Sequence, residues 1–401
     1  MRIVFVGGCP PKQLQDKVKE WGSATDFAGY AFQSALIKGL DECCEEVRIV
    51  TYLWTQAYPK SKKIFFKRER YSHKEDDCPK DVFVGFLNVP IVKRISLTIR
   101  FLKELWRVSN SNENYILINY SLSSLTLLPI AILHKRFKQV CQIIPDLPEY
   151  MSSNKNNLYK IGKSIDRRVI NWCLSKVNSF ALLSPYMKEK LPIGDKRWMQ
   201  LEGIYNPADI NNDEEQLTEE KKVVMYSGAL DLRYGIGDLV EAFINIDNHD
   251  RYELWLCGNG DQNVLSLINK KSEQDNRIKY LGVLERSKVL LLQRRATVLV
   301  NPRHKTEVFT KYSFPSKTME YLASGTPVIM SHLECIPTDY DNHIFYFDDE
   351  SIEGMRNKIV EICNKPKTEL IAFGKSASDF IIKNKTSVVQ AKRLYDFLNM
   401  K

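Results

Sequence analysis

Short β-rich runs alternate with helical stretches along nearly the whole chain, in two successive series. RIVFV (2–6), VRIVTYL (47–53), YILINY (115–120), QVCQII (139–144) and SFALLS (179–184) are separated by helical patterns that include 29–40, 92–107, 123–137 and 160–176. VVMYSG (223–228), YELWLCG (252–258), IKYLG (278–282), ATVLVNP (296–302) and PVIMS (327–331) repeat the scheme. Strands joined through helices pair in parallel, so the pattern predicts an α/β chain with two doubly wound parallel sheets. At 401 residues the chain is too long for one typical core, which agrees with two domains. The polar, acidic stretch NPADINNDEEQLTEEKK (206–222) reads as the linker, giving domains 1–205 and 206–386.

Several classes are excluded early. Nine cysteines without a C-x-x-C or zinc spacing read as free thiols in a reducing cytoplasm. The opening MRIVFVGG is a strand entering a glycine turn and not a cleavable leader. No apolar run reaches the roughly eighteen residues of a spanning helix. Six scattered histidines show no ligand spacing, and Asp339-Tyr340-Asp341 reads as a solvated turn. Gly7-Gly8-Cys9-Pro10 departs from G-x-G-x-x-G, and no G-x-x-x-x-G-K-[ST] occurs. Neither a metal nor a resident cofactor is expected.

The net charge of +9 is clustered. KSKKIFFKRER (60–70) interleaves cations with Ile64, Phe65 and Phe66. VKRISLTIRFLKELWR (92–107) sets Ile95, Ile99, Leu102 and Trp106 on one helical stripe, flanked by Lys93, Arg100, Lys103 and Arg107. A basic amphipathic helix with aromatic residues suits an anionic membrane surface; a core helix with one solvated face has the same pattern. No nucleic-acid motif accompanies the charge.

Doubly wound sheets bind ligands beyond the C-terminal ends of their strands. The candidates there are Gly7-Gly8, Pro145-Asp146, Ser184, Gly228, Gly258-Asn259-Gly260 and the stretch YSFPSKTMEYLASGTPVI (312–329). In that stretch Pro315 disfavours helix over Tyr312-Ser313-Phe314 and suits a first helical turn. Ser316 and Lys317 then offer backbone N–H groups at a positive helix end. Glu320 shares a face with Ser316, where a carboxylate reaches a ribose if a diphosphate sits at the amides. Gly325 suits a left-handed cap. Alone, the stretch reads as a capped helix with a Lys317–Glu320 pair.

FPSKTMEYLASGTPVI also resembles the nucleotide-binding motif of the retaining glycosyltransferases of family 4. Their GT-B fold is two Rossmann-like domains facing a central cleft. YSGALDLRYGIGDLVEAF (226–243) is similar to the first strand and phosphate-binding turn of their second domain. LWLCGNGD and RIKYLGVLERSKVLLLQRRATVLVNP follow in the family's order, and AGYAFQSALIKGL (28–40) is similar to the helix after its N-terminal glycine loop. The resemblance implies donor contacts from Gly8, Gly228, Arg233, Leu284, Tyr312, Phe314, Ser316, Lys317 and Glu320. Glu320 matches the ribose ligand and Arg233 a phosphate cation, with the base held by backbone around Gly282-Val283-Leu284. Two positions depart: Tyr312 stands where the family carries a glutamate, and Ala229 where it carries its other cation, for which Lys317 is a nearby substitute.

Many relatives place His or Asp after a first-domain strand facing the donor, so Asp146 is the candidate catalytic residue, with Glu149 one turn on. The fold also implies that the final helix, 387–401, crosses back to the first domain. The implied activity is metal-independent, retaining transfer of a sugar from a nucleoside-diphosphate sugar to a glycan or lipid-linked glycan. Bacterial capsule, O-antigen or exopolysaccharide synthesis is the implied setting, in the cytoplasm or at the cytoplasmic face of the inner membrane. A sugar-nucleotide 2-epimerase of the same fold and a non-catalytic glycan- or membrane-binding homologue are the alternatives.

Overall fold

A computed structural model describes the chain except residues 12, 15–16, 19, 22–26, 75–77, 111–113, 148–156, 207–220, 248–250 and 401, and gives only the backbone of 157–161. Glu149 and nearly all of the 206–222 stretch lie outside the described residues. The chain divides into two units, Met1–Glu202 with Ser387–Lys401, and Gly203–Thr386.

In the first unit the order is β1 (Arg2–Gly7), α1 (Phe27–Cys43), β2 (Glu46–Thr51), β3 (Phe65–Phe66), β4 (Glu69–Tyr71), β5 (Asp81–Phe83), β6 (Phe86–Leu87), α2 (Val92–Ser109), β7 (Tyr115–Tyr120), α3 (Ser124–Leu133), β8 (Gln139–Ile144), α4 (Asn157–Leu174), β9 (Ser179–Leu182) and β10 (Arg197–Gln200). The sheet runs β10-β9-β8-β7-β1-β2-β5-β4, parallel except for β4, which pairs antiparallel with β5. β1 and β7 are buried along almost their whole length, which is why they read as continuous apolar runs. At the β4–β5 edge His73 is clamped between Asp81 (2.7 Å) and Asp41 on α1 (3.1 Å). Burial alone favours the neutral ring, but the two carboxylates outweigh it and lift the pKa to about 9.

α2 differs from the expected single apolar stripe. It packs through Leu97, Phe101 and Leu105, while Ile95, Ile99 and Trp106 are exposed. Lys93 does not join the solvated flank: its ammonium bonds the Thr55 carbonyl and lies over Phe86, and burial lowers its pKa to about 8. The buried Glu104 takes a bidentate pair from Arg68 (2.9 and 2.8 Å) and a further bond from Arg107. Burial favours its neutral form, yet these cations prevail and hold its carboxyl below the usual range.

The second unit contains β11 (Lys222–Ser227), α5 (Ile236–Ile244), β12 (Tyr252–Cys257), α6 (Gln262–Gln274), β13 (Ile278–Gly282), α7 (Arg286–Arg295), β14 (Val298–Asn301), α8 (Val308–Tyr312), α9 (Lys317–Ala323), β15 (Val328–Met330), β16 (Phe345–Tyr346), α10 (Ile352–Cys363) and α11 (Lys367–Asn384). Its sheet, β13-β12-β11-β14-β15-β16, is wholly parallel. Val224, Leu254, Val298 and Ile329 on the strands pack with Phe243 of α5 and Ile359 of α10. Winding reverses between β11 and β14, which opens a ligand crevice at their C-terminal ends.

The chain enters and leaves this unit side by side: the Tyr205 N–H donates to the Lys385 carbonyl (2.8 Å), and Tyr205 pairs with Thr386. The last helix, α12 (Ser387–Asn399), belongs to the first unit and lies along α1. Their approach needs Gly39, because a Cβ there would lie 2.1 Å from the Ser387 carbonyl oxygen. Arg197 of β10 donates to the Phe397 and Met400 carbonyls and stacks over the Phe397 ring at 4.9 Å.

Candidate functional site

Backbone stitching beyond β11, β12 and β13 builds the floor of the crevice. Gly228 N–H donates to the Cys257 carbonyl (2.9 Å), Leu230 N–H to Asn259 (2.8 Å) and Gly258 N–H to Gly282 (2.9 Å). Gly258 has φ 145°, and a Cβ there would meet the Gly228 carbonyl oxygen at 1.7 Å. Gly235, at φ 75°, does the same against the Pro302 carbonyl at 2.0 Å, so the loops after β11 and β14 touch. Leu284 is half-buried and turns its backbone toward the Cys257 thiol; burial pushes that thiol's pKa up, and Leu284 and the Lys317 charge offset it in part.

Tyr321 of α9 locks this floor to the motif helix. Pairing of β11 with β14 extends only through Met225–Leu299. Beyond it the Tyr321 hydroxyl accepts from Ser227 N–H (2.7 Å) and donates to the Ser227 carbonyl (2.9 Å), so a phenol stands where a strand would. One residue earlier, Glu320 is only 11% exposed and gathers three donors: Gln293 Nε2 (2.8 Å), Lys317 Nζ (2.9 Å) and Arg286 Nη1 (3.0 Å). Burial favours its neutral form, but Lys317, then Gln293 and Arg286, outweigh it and hold the carboxyl below its usual range. Gln293 is itself fully buried and also donates to Ser227 Oγ (2.8 Å). A buried, ionised carboxylate ringed by donors at a switch point is fitted to accept hydroxyl protons.

The other residues of the motif are placed differently from one another. Thr318 N–H turns back to the Pro315 carbonyl (2.8 Å), so the helical turn starts at the proline, and Ser316 is exposed. The expected loop at Tyr312-Ser313-Phe314 is shorter, because Tyr312 closes α8. Tyr312 and Phe314 are buried, the latter 6.0 Å from the Tyr340 ring. Arg233 folds back onto Asp231 (2.6 Å) within its own turn. Asp339 pairs with the buried Lys385 (2.8 Å) and Asp341 accepts from Tyr346 (2.8 Å), so each carboxylate of that D-x-D has a structural partner. Among the described residues no cluster of three His, Cys, Asp or Glu could hold a metal ion.

Gly8 and Asp146 belong to the first unit. Gly8 N–H donates to Gln33 Oε1 (2.8 Å), and its own Cβ position is open; a Cβ on Gly7 would lie 2.1 Å from that same oxygen, so a side chain there would displace Gln33. Asp146 follows β8 by two residues and is half-buried. On the strands beside it, buried Asn119 of β7 donates to Gln142 of β8 (2.7 Å), and both bond the carbonyl of Ser121, whose φ is 79°. These two amides interrupt the apolar runs of YILINY and QVCQII, the latter also opening on Gln139.

Two doubly wound units of this kind define the GT-B fold, and solved structures agree over the whole chain. A sucrose-phosphate synthase from Thermosynechococcus elongatus superposes with a TM-score of 0.64 at 15% identity, covering 99% of each chain. Anabaena Alr3699/HepE, solved in complex with UDP, gives 0.64 at 13% identity over 99% of each. The lipopolysaccharide outer core galactosyltransferase WaaB gives 0.61 at 13% over 99% of each. Residues 208–379, nearly all of the second unit, match the family model for glycosyl transferases group 1. No curated protein matches the sequence.

Proposed function

We propose that the protein is a glycosyltransferase that binds a nucleoside-diphosphate sugar in its second unit and transfers the sugar to an acceptor held by the first. The observation that carries this reading is Glu320, buried among three donors beside the switch point, inside a segment that matches glycosyl transferases group 1. In this reading Glu320 accepts the ribose hydroxyls and the backbone near Leu284 holds the base, while Gly228 and Lys317 line the diphosphate. Transfer proceeds with retention and without a metal, protein cations and amides stabilising the leaving diphosphate. Asp146 positions the acceptor.

The acceptor we favour is a lipid-linked glycan of a bacterial surface polysaccharide. Support comes from an open groove of about 420 Å³ between α2, α3 and α4, lined by Ile95, Ile99, Leu128, Ile165 and Val169. Arg94 stands at its edge, and Arg100 and Lys103 lie on the same helix as Ile95 and Ile99. Within the groove Arg94 is paired with Asp166 (2.8 Å), so the charge offered to an anionic lipid surface comes from Arg100 and Lys103 farther along α2, beside the exposed Ile95 and Ile99. No helix among the described residues is long and apolar enough to cross a membrane. Incubation with UDP-, GDP- and dTDP-sugars, scored by thermal shift and donor hydrolysis with and without EDTA, tests the reading. One donor that stabilises and is hydrolysed in EDTA is expected; no response to any donor would refute it.

A further inference from the structure

The basic side chains of the donor crevice are not equivalent. Arg233 is neutralised by Asp231 at 2.6 Å. Lys317 and Arg286 share Glu320, at 2.9 and 3.0 Å. His304 sits against Asp238 at 2.6 Å. Arg303 is the exception: among the described residues no carboxylate or carbonyl pairs with it. It follows β14 by two residues, at the point where winding reverses. Its guanidinium lies 4.2 Å from the Tyr234 ring centroid and 5.9 Å from that of Phe309. Tyr234 belongs to the turn that carries Arg233, and the next residue, Gly235, presses against Pro302, so the contact of the two loops fixes Arg303 beside the β11 turn.

We propose that Arg303 supplies the positive charge that grips the diphosphate of the donor nucleotide; this rests on the donor-site reading above. A guanidinium stacked on an aromatic face keeps its N–H edges available and loses little freedom on binding an anion. Its charge is felt in the loop: burial pushes the Tyr226 hydroxyl pKa up, and Arg303 pulls the other way. That hydroxyl donates to the Ala229 carbonyl (2.8 Å), and Ala229 is exposed on the same turn. The turn's own cation, Arg233, reaches an anion only by leaving Asp231, whereas Arg303 acts on that carboxylate through its charge alone and has no direct ion pair to break.

The test is calorimetry on the full chain with UDP, GDP, ADP and dTDP and with the matching nucleosides. Arg303→Met is expected to weaken the bound diphosphate by at least about tenfold while changing the nucleoside less than about twofold. Arg233→Met is expected to lose less, and Ala229→Arg in the Arg303→Met background to recover diphosphate binding by returning a cation to the turn. Should Arg303→Met not fold, Arg303→Lys is expected to bind the diphosphate more tightly than Arg303→Gln. Equal losses for nucleoside and diphosphate, an Arg233→Met loss as large as that of Arg303→Met, or indistinguishable Lys and Gln variants would overturn the assignment. Wild type that binds no nucleoside diphosphate would overturn the donor-site reading as well; wild type that binds one, with Arg303→Met binding it equally, would overturn Arg303 alone.

Discussion

Replacing Tyr321 by phenylalanine removes one oxygen and almost no volume. The side chain is fully buried, so the change creates no new surface. It leaves the Ser227 N–H and carbonyl without the partners that now sit at 2.7 and 2.9 Å. A buried backbone group stripped of its partner costs roughly 1–3 kcal/mol, so the pair should cost about 2–5 kcal/mol. For a unit of this size each kcal/mol lowers the melting temperature by about 2–4 °C, which puts the expected drop at about 4–20 °C. Scanning calorimetry with hydrogen exchange locates the loss: the Ser227 amide should exchange much faster, while amides of β1 and β7 in the first unit keep their protection. Nucleotide binding should weaken too, since Gly228 follows Ser227 directly. A melting temperature within about 2 °C of wild type, with Ser227 still protected, would refute the phenol's role as a strand substitute.

Glu320→Gln keeps size but trades charge-assisted bonds for neutral ones; at roughly 1–1.5 kcal/mol per bond, nucleoside-diphosphate affinity measured by calorimetry should fall at least about tenfold, with folding intact. The first unit should lose stability at alkaline pH, because the raised pKa of His73 contributes fully below 6.5 and is lost as pH rises through about 9; urea titrations across that window should show a slope that His73→Ala removes. Binding to anionic vesicles should fall steeply with salt, since screening acts within about 8–10 Å, and Arg100→Glu with Lys103→Glu should reduce vesicle sedimentation and transfer to a lipid-linked acceptor but not to a soluble one. Removal of 387–401 strips buried Leu394, Phe397 and Leu398 from the first unit; at about 1.5–3 kcal/mol each the loss approaches a domain's whole stability, and exchange protection in β1 and α1 should collapse.

The long strands were legible because parallel strands covered on both faces read as apolar runs, as in VVMYSG and YILINY. β3 to β6 were not, because pieces of two or three residues carry no period, whether in the basic stretch (β3 and β4) or in the apolar DVFVGFL that follows (β5 and β6). The Lys317–Glu320 pair followed from helical spacing, and the structure forms it. Gln293 and Arg286 were missed, because they reach Glu320 from 27 and 34 residues away and only the sheet order brings them there. Lys93 was misread for a related reason: its place on the helix predicted a solvated flank, but Thr55 and Phe86 approach from separate segments. The place of α12 came only from the resemblance, because no period in the sequence says which domain a terminal helix will cover.

Because the first unit is completed by α12, it is discontinuous in the gene. A ribosome makes Met1 to Glu202, then the whole of Gly203–Thr386, and only then the helix that covers α1 at Gly39. At about 5–20 residues per second, the interval is on the order of ten to forty seconds. Through that interval the face of α1 around Gly39 waits for Ser387 and Ala391, while the second unit has all of its own sequence in hand. The nucleotide-binding half is thus free to mature first, and a message cut short anywhere before the final helix yields a chain whose amino-terminal half is never finished. Such a chain presents an open apolar seam to the chaperones and proteases that remove partial products.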